Sequence, residues 1–176
     1  MDSGFTDFDF TLRDGRAAHI RAMCPTDEAE LVQAFGRMSD DARYMRFMRF
    51  VREPNLERVR KALASFPEQG IGIVATVPAA DGIDIVGSAT YLVGNDRTTC
   101  EFAINVASEF GGVGLASTLL TALINAAKAR GLNEMEGFVL AMNQPMLRLA
   151  RRLGFSIAAD PEDGAVRICR LRLGDA

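Results

Sequence analysis

The residues best suited to chemistry lie between Cys100 and Gly131. A strand-like run, Cys100 to Val106, carries Glu101 and feeds a connector ending in Gly111, Gly112 and Gly114. Beyond it the chain turns amphipathic, with Leu115, Leu119, Ala122 and Leu123 spaced for one apolar helix face. Strand, glycine loop and helix form a device for holding phosphate. Glycines let the backbone approach closely, and the free N–H groups of the first helical turn point at the anion.

Other reactive side chains are sparse. His19 is the only histidine and lies on a predicted hairpin strand, so no Ser-His-Asp or histidine–metal constellation assembles. Cys24, Cys100 and Cys169 lie far apart, form no CxxC pair and are odd in number. They read as buried thiols of a reducing cytoplasm. No Cys/His/Asp/Glu spacing suggests zinc, and no metal is expected. Arg148, Arg151 and Arg152 share one helix side and read as a solvated face, with contact to a ligand phosphate as the alternative.

The elements that position these residues follow from pattern. Phe8, Phe10 and Leu12 alternate with polar residues, Asp14-Gly15 marks a hairpin turn, and a second strand runs to Met23. Thr26 is placed to cap a helix with Leu31, Phe35 and Met38 on one side. Ser39 opens a helical piece through DDARYMRFMRF, and Pro54 starts a third helix to about Ala64. Strands are predicted at 71–77, 83–93 and 100–106, then a helix over 113–130 ended by Gly131. A strand over 135–141, a helix capped by Asn143 and closed by Gly154, and strands at 155–159 and 165–173 complete a mixed α/β sheet with helices on its faces.

The chain has 176 residues, 48% of them hydrophobic, enough for one domain with its own core over 1–176, with 1–7 expected as a flexible N-terminus. A net charge of −3 argues against nucleic acid, which needs a basic footprint. The acidic start lacks an apolar signal segment, and no apolar run reaches the ~20 residues of a membrane span, so a cytoplasmic protein without membrane attachment is expected.

This order and two motifs resemble the Gcn5-related N-acetyltransferase (GNAT) superfamily over about Thr11 to Leu173. The family's loop, Q/R-x-x-G-x-G/A, corresponds to Gly111-Gly112-Val113-Gly114-Leu115-Ala116. Gly114 and Ala116 match, whereas Gly111 stands where Gln or Arg is usual. The segment from Asn143 through Met146 and Leu149 to Leu153-Gly154-Phe155 is similar to the family's N-x-x-A-x-x-L-Y-x-K-x-G-F. There Ala150 replaces the tyrosine that often protonates the leaving thiolate. SDDARYMRF, CEFAINV and MLRLARRLGF bring the chain nearest to the Pat-type bacterial protein lysine acetyltransferase domains.

The resemblance implies a GNAT fold, with a mostly antiparallel sheet of about seven strands and helices on both faces. It implies an acetyltransferase with acetyl-CoA as co-substrate. The cofactor would meet the backbone of Ile104, Asn105 and Val106, the loop Gly111, Gly112, Val113, Gly114, Leu115, Ala116 and Ser117, and Asn143 and Met146. Glu101 would be the general base, acting through water with a pKa raised by partial burial. An edge carboxylate is the plainer alternative, just as helix capping alone explains Asn143. Tyr44, Met45, Phe47, Met48 and Phe50 would wall the acceptor site, although core packing explains them too. Arg43, Arg46 and Arg49 offer an acidic protein a docking surface. The acceptor is expected to be a protein lysine. A small amine, or a non-catalytic acyl-CoA sensor, is the alternative, and a homodimer stays open.

Two other phosphate binders fit less well. A Walker A loop needs Gly-Lys-Ser/Thr, where this chain has Gly114-Leu115-Ala116. A nicotinamide loop would put Gly or Ala at Ser117, and only about sixty residues follow Gly114, too few for the rest of such a domain.

Overall fold

The computed structural model of the chain describes residues 4–49 and 51–174. Eight strands form one sheet in the order β1-β2-β3-β4-β5-β6-β8-β7. They are β1 (Phe8–Thr11), β2 (Ala17–Ala22), β3 (Gly70–Ala79), β4 (Gly82–Val93), β5 (Thr99–Val106), β6 (Glu134–Leu140), β7 (Ser156–Ala159) and β8 (Val166–Arg172). All neighbours are antiparallel except β5 and β6. The sheet has one strand more than the seven expected. Among the described residues five α-helices complete the fold: α1 (Glu28–Arg37), α2 (Asp40–Phe47), α3 (Leu56–Ser65), α4 (Leu115–Ala129) and α5 (Gln144–Arg152).

Local chemistry sets most helix boundaries. Ser39 and Asn55 cap α2 and α3 through side-chain oxygens that accept from Ala42 N–H and Arg58 N–H, both at 3.1 Å. Pro54 therefore lies one residue before the cap. Thr26 does not cap α1. It sits inside a 3-10 turn, Pro25–Asp27, and the buried Asp27 carboxylate accepts from Cys24 N–H at 2.7 Å. Arg21 closes that turn with a two-pronged ion pair to Asp27 at 2.8 and 2.9 Å. Burial opposes ionisation of Asp27, but the bonds from Arg21 and Cys24 outweigh it and hold the carboxyl below its ordinary value.

Side-chain alternation divides the core between the sheet's two faces. Ile71, Ile73 and Ala75 join a large cluster with Leu115, Leu119, Leu120, Leu123, Ile124 and Ala127 of α4 and Leu147, Leu149 and Ala150 of α5. Val74 points the other way; it is fully buried, and with Phe35 of α1 and Leu63 of α3 it lies outside that cluster. On that second face α1 packs on β4, and α2 packs across β5 and β6. Among the described residues no helix is long and apolar enough to cross a membrane. Cys100 and Cys169 are buried as expected, but Cys24 is exposed because it stands before the 3-10 turn at the surface; all three thiols are free.

Candidate active site

Strand β5 carries the site, and its two edges behave differently. Along β4 it is paired throughout, from Cys100↔Val93 to Val106↔Gly87. Along β6 pairing stops at Glu101↔Glu136. From Phe102 to Val106 the two strands part, and alternate N–H and C=O groups of β5 on that side have no strand partner. An aromatic ring lies at the point of parting. The Phe102 ring rests where a side chain on Gly137 would stand, with ring carbons 2.3–2.8 Å from the position of a Cβ there. It then meets Phe155 edge-on at 5.3 Å. The ring thus packs against the bare Cα of Gly137, which leaves no room for a side chain there.

The glycine loop lies beyond the open end. Ser108–Phe110 form a 3-10 turn, Gly112 and Gly114 take φ of +71° and +91°, and Gly114 becomes the N-cap of α4. These left-handed conformations suit glycine. Gly112 has open space around it, so a ligand meets bare backbone. Among the described residues, the N–H groups of Gly112, Val113, Gly114, Leu115, Ala116 and Ser117 have no intramolecular acceptor; the ladder of α4 starts with Thr118 N–H on Gly114 C=O at 3.0 Å. The helix over 113–130 thus starts two residues late, which leaves these donors free. Such a run of donors at a helix N-terminus fits a pyrophosphate.

The β1–β2 turn braces this loop. Arg13 N–H donates to Val113 C=O at 3.1 Å, and Arg16 donates to Glu109 C=O at 2.8 Å while lying over the Phe110 ring. The Arg13 Nε is 3.5 Å from where a Gly114 Cβ would sit. A cation therefore overlies the loop, although Gly111 lacks the side chain usual at that motif position. The sequence reading missed Arg13 because its partner lies a hundred residues away.

The closed end is built from charges. Cys100 and Phe102 face the main core, so Glu101 between them projects to the opposite face, where α2 lies. Glu101 is exposed and, among the described residues, forms no hydrogen bond or ion pair. Partial burial of its carboxyl, reinforced by Glu136, raises its pKa above the ordinary value, while Arg46 and Arg58 pull the other way. Glu136 is engaged by Arg170 at 3.3 Å. Leu92, Val93, Gly94, Thr99, Cys100, Glu101 and Glu136 line a recess of about 250 Å³ here. Burial pushes the Cys100 thiol up to about 12, so it remains protonated and is no nucleophile at neutral pH.

The acceptor segment is more packed than its composition suggests. Tyr44, Met45, Phe47 and Met48 are half-buried on and just after α2, and none of them lines the recess. The Phe47 ring meets Phe35 at 5.7 Å, tilted by 52°. Phe50 lies outside the described residues. Arg43 lies over the Phe35 ring and donates to Phe35 C=O at 3.0 Å, which ties α2 to α1. Arg43, Arg46 and Arg49 therefore form no shared docking face; only Arg49 is exposed.

Asn143 caps α5, accepting from Met146 N–H at 3.4 Å, and Met146 packs against the main core. Ala150 is fully buried there, so a tyrosine would not fit without repacking. Arg148, Arg151 and Arg152 are exposed. Elsewhere the carboxylates of Glu30, Asp81 and Asp84 gather within 4.8 Å of one another, and Arg37 pairs with Asp84 at 3.0 Å.

Comparison with known proteins decides among the phosphate binders. The family model for the acetyltransferase (GNAT) domain matches residues 18–156. The chain belongs to the GNAT acetyltransferase family. It is 29% identical over 163 residues to an acetyltransferase of Pseudomonas aeruginosa, covering 93% of this chain and 88% of the relative. In fold it is similar to the GNAT domain of PAT from S. lividans, with a TM-score of 0.85, 22% identity and coverage of 94% and 96% of the two chains. It is also similar to yncA of Salmonella typhimurium, a putative acetyltransferase by its own name, solved with its cofactor acetyl-CoA; the TM-score is 0.72, with 21% identity and 92% and 96% coverage. As a GNAT acetyltransferase the protein uses acetyl-CoA, and the free donors of the loop and of the splayed β5 edge fit that co-substrate.

Proposed function

We propose that this GNAT acetyltransferase moves an acetyl group to a protein lysine in the cytoplasm, with Glu101 as general base acting through water. The observation that carries the reading is an unpaired carboxylate at the point where β5 leaves β6. The same strand then runs, with one edge free, to the glycine loop. Base and thioester would be held on one rigid element, which suits reacting groups that must keep their spacing.

Each part has a chemical task. A lysine amine with pKa near ~10.4 is neutral in about one molecule in a few thousand at pH 7. Glu101 accepts the proton the amine must lose, and its raised pKa makes it a better base than an ordinary carboxylate. The unpaired N–H groups of Ile104 and Val106 polarise the thioester carbonyl, the loop N–H groups hold the pyrophosphate, and Arg13 adds positive charge above Gly114. With Ala150 buried, no side chain of α5 there supplies a proton to the leaving thiolate, and water does so.

The test is incubation of the full chain with acetyl-CoA, candidate host proteins and a panel of small amines. Thiol release reports turnover, and mass spectrometry maps acetyl-lysine. Enzyme-dependent protein acetylation that drops about 10²-fold in Glu101→Gln is expected. Efficient turnover of one small amine without protein acetylation would replace the acceptor assignment. Acetyl-CoA binding without any turnover would make the chain a sensor.

A further inference from the structure

Arg46 is the side chain that the mechanism leaves unexplained. It sits on α2, the helix that lies across β5 and β6 on the Glu101 face. Its Nε is shut off from solvent and has no hydrogen-bond partner, and among the described residues its guanidinium makes no ion pair. A charged donor left buried and unsatisfied is costly and is retained where something else supplies its partner. Nearby acids do not relieve it. Glu136 is held by Arg170, and Glu101 is not within ion-pair distance. Arg58, exposed on the first turn of α3, brings a second positive charge close enough to disfavour the charged form of Arg46, while Glu101 favours it. The closed end of β5 therefore presents two acids beside two arginines, and among the described residues neither arginine forms an ion pair.

We infer that Arg46 and Arg58 form an acceptor-side subsite for a carboxylate carried by the amine substrate. This rests on the reading of Glu101 as the place where the amine arrives. The ammonium form of the acceptor meets Glu101, while its carboxylate meets the guanidinium fork, which matches that group's two oxygens. The complement is a zwitterion. Its carboxylate comes either from an Asp or Glu next to an acceptor lysine or from the α-carboxylate of a free amino acid.

Matched pairs separate these sources. One pair is a capped tripeptide amide, Asp-Lys-Gly against Asn-Lys-Gly; the other is methionine against methioninamide. Calorimetry on the full chain with coenzyme A reads binding, and thiol release from acetyl-CoA reads kcat/KM. In one pair the acid should exceed its amide tenfold or more by both measures, and that pair names the source. Arg46→Gln should erase the ratio, and the exposed Arg58→Gln should reduce it several-fold without risk to the core. Equal binding within both pairs, or a ratio that survives Arg46→Gln with the fold intact by circular dichroism, overturns the subsite. Thiol release with acids and amides alike overturns the subsite and leaves the transferase standing. An Arg46-dependent binding preference with no thiol release does the reverse.

Discussion

The two ends of β5 solve opposite problems by opposite means. At the open end, binding is assigned to backbone: a splayed strand edge, a loop with two left-handed glycines and the bare first turn of α4. At the closed end, chemistry is assigned to side chains gathered from β5, β6, α2, α3 and β8. A backbone site needs small residues at fixed spacing, so it leaves a motif. A side-chain site needs only that distant segments meet, so most of it leaves none. The comparison also predicts what each end should tolerate: the open end should resist added bulk, and the closed end should resist loss of charge.

The largest expected effect tests the open end. Gly114→Glu forces a side chain onto a residue with φ of +91°, beneath Arg13, and puts negative charge where pyrophosphate would sit. The backbone strain alone amounts to roughly 1–2 kcal/mol. Acetyl-CoA affinity should fall about 10²-fold or more by calorimetry, with the circular dichroism spectrum kept, since tenfold is about 1.4 kcal/mol. Unchanged affinity would break the assignment of this end to the cofactor.

Next comes the closed end. Glu101→Gln keeps shape and removes the base, and should lower kcat/KM by about 10²-fold at pH 7. The sign of the pH dependence follows from the raised pKa. The base is active only when ionised, so kcat/KM of the native chain should fall as pH drops through a value above the ordinary ~4.3 of a glutamate. Glu101→Gln should lose that acidic limb, and its deficit should shrink as pH rises and more amine arrives neutral. Because Arg46 and Arg58 oppose the raising, Arg46→Gln should move the limb to still higher pH. A native profile whose limb sits at the ordinary carboxylate value would detach Glu101 from the chemistry.

A third variant tests whether the Phe102 ring holds β5 and β6 apart. Gly137→Ala puts a methyl group where the Phe102 ring already lies, at 2.3–2.8 Å. The ring must shift, at a cost of about 1–3 kcal/mol in urea unfolding. If the splay depends on that ring, acetyl-CoA affinity should change as well. Gly137→Ala at native stability would show that something other than Phe102 holds the strands apart.

The same contrast explains what the sequence disclosed. Period-2 and period-3.6 patterns, the Asp14-Gly15 turn and the caps at Ser39 and Asn143 placed almost every element, because each is a local rule. The α1 start was missed because the Asp27 carboxylate serves Cys24 N–H and Arg21, a tertiary demand that overrides the local cap at Thr26. The glycine loop was legible from spacing alone, whereas Glu101 became a candidate through the resemblance of the segment around it. Arg13, Arg46 and Arg58 were not legible as site residues: their meaning depends on Gly114 and Glu101, which are distant in the chain. Arg43 misled for the same reason, since its charge reads as surface until Phe35 is placed beneath it.

The smallest expected effect concerns Asn143, where the two strategies meet. It follows β6 at the open end, and the sequence allows it to be either a helix cap or a cofactor contact. Its side chain already has a task, accepting from Met146 N–H, but at 3.4 Å that bond is long. A long cap bond stabilises less than a short one, so Asn143→Ala should cost only about 0.5–1 kcal/mol in urea unfolding, the low side of the range for caps. Asn143→Ser, which can cap, should recover most of that. If the open end is built from backbone, acetyl-CoA affinity should stay within about twofold in both variants, since twofold is only ~0.4 kcal/mol. A tenfold loss of affinity in Asn143→Ser at native stability would give this end a side-chain contact of its own, and the division between the two ends of β5 would no longer hold.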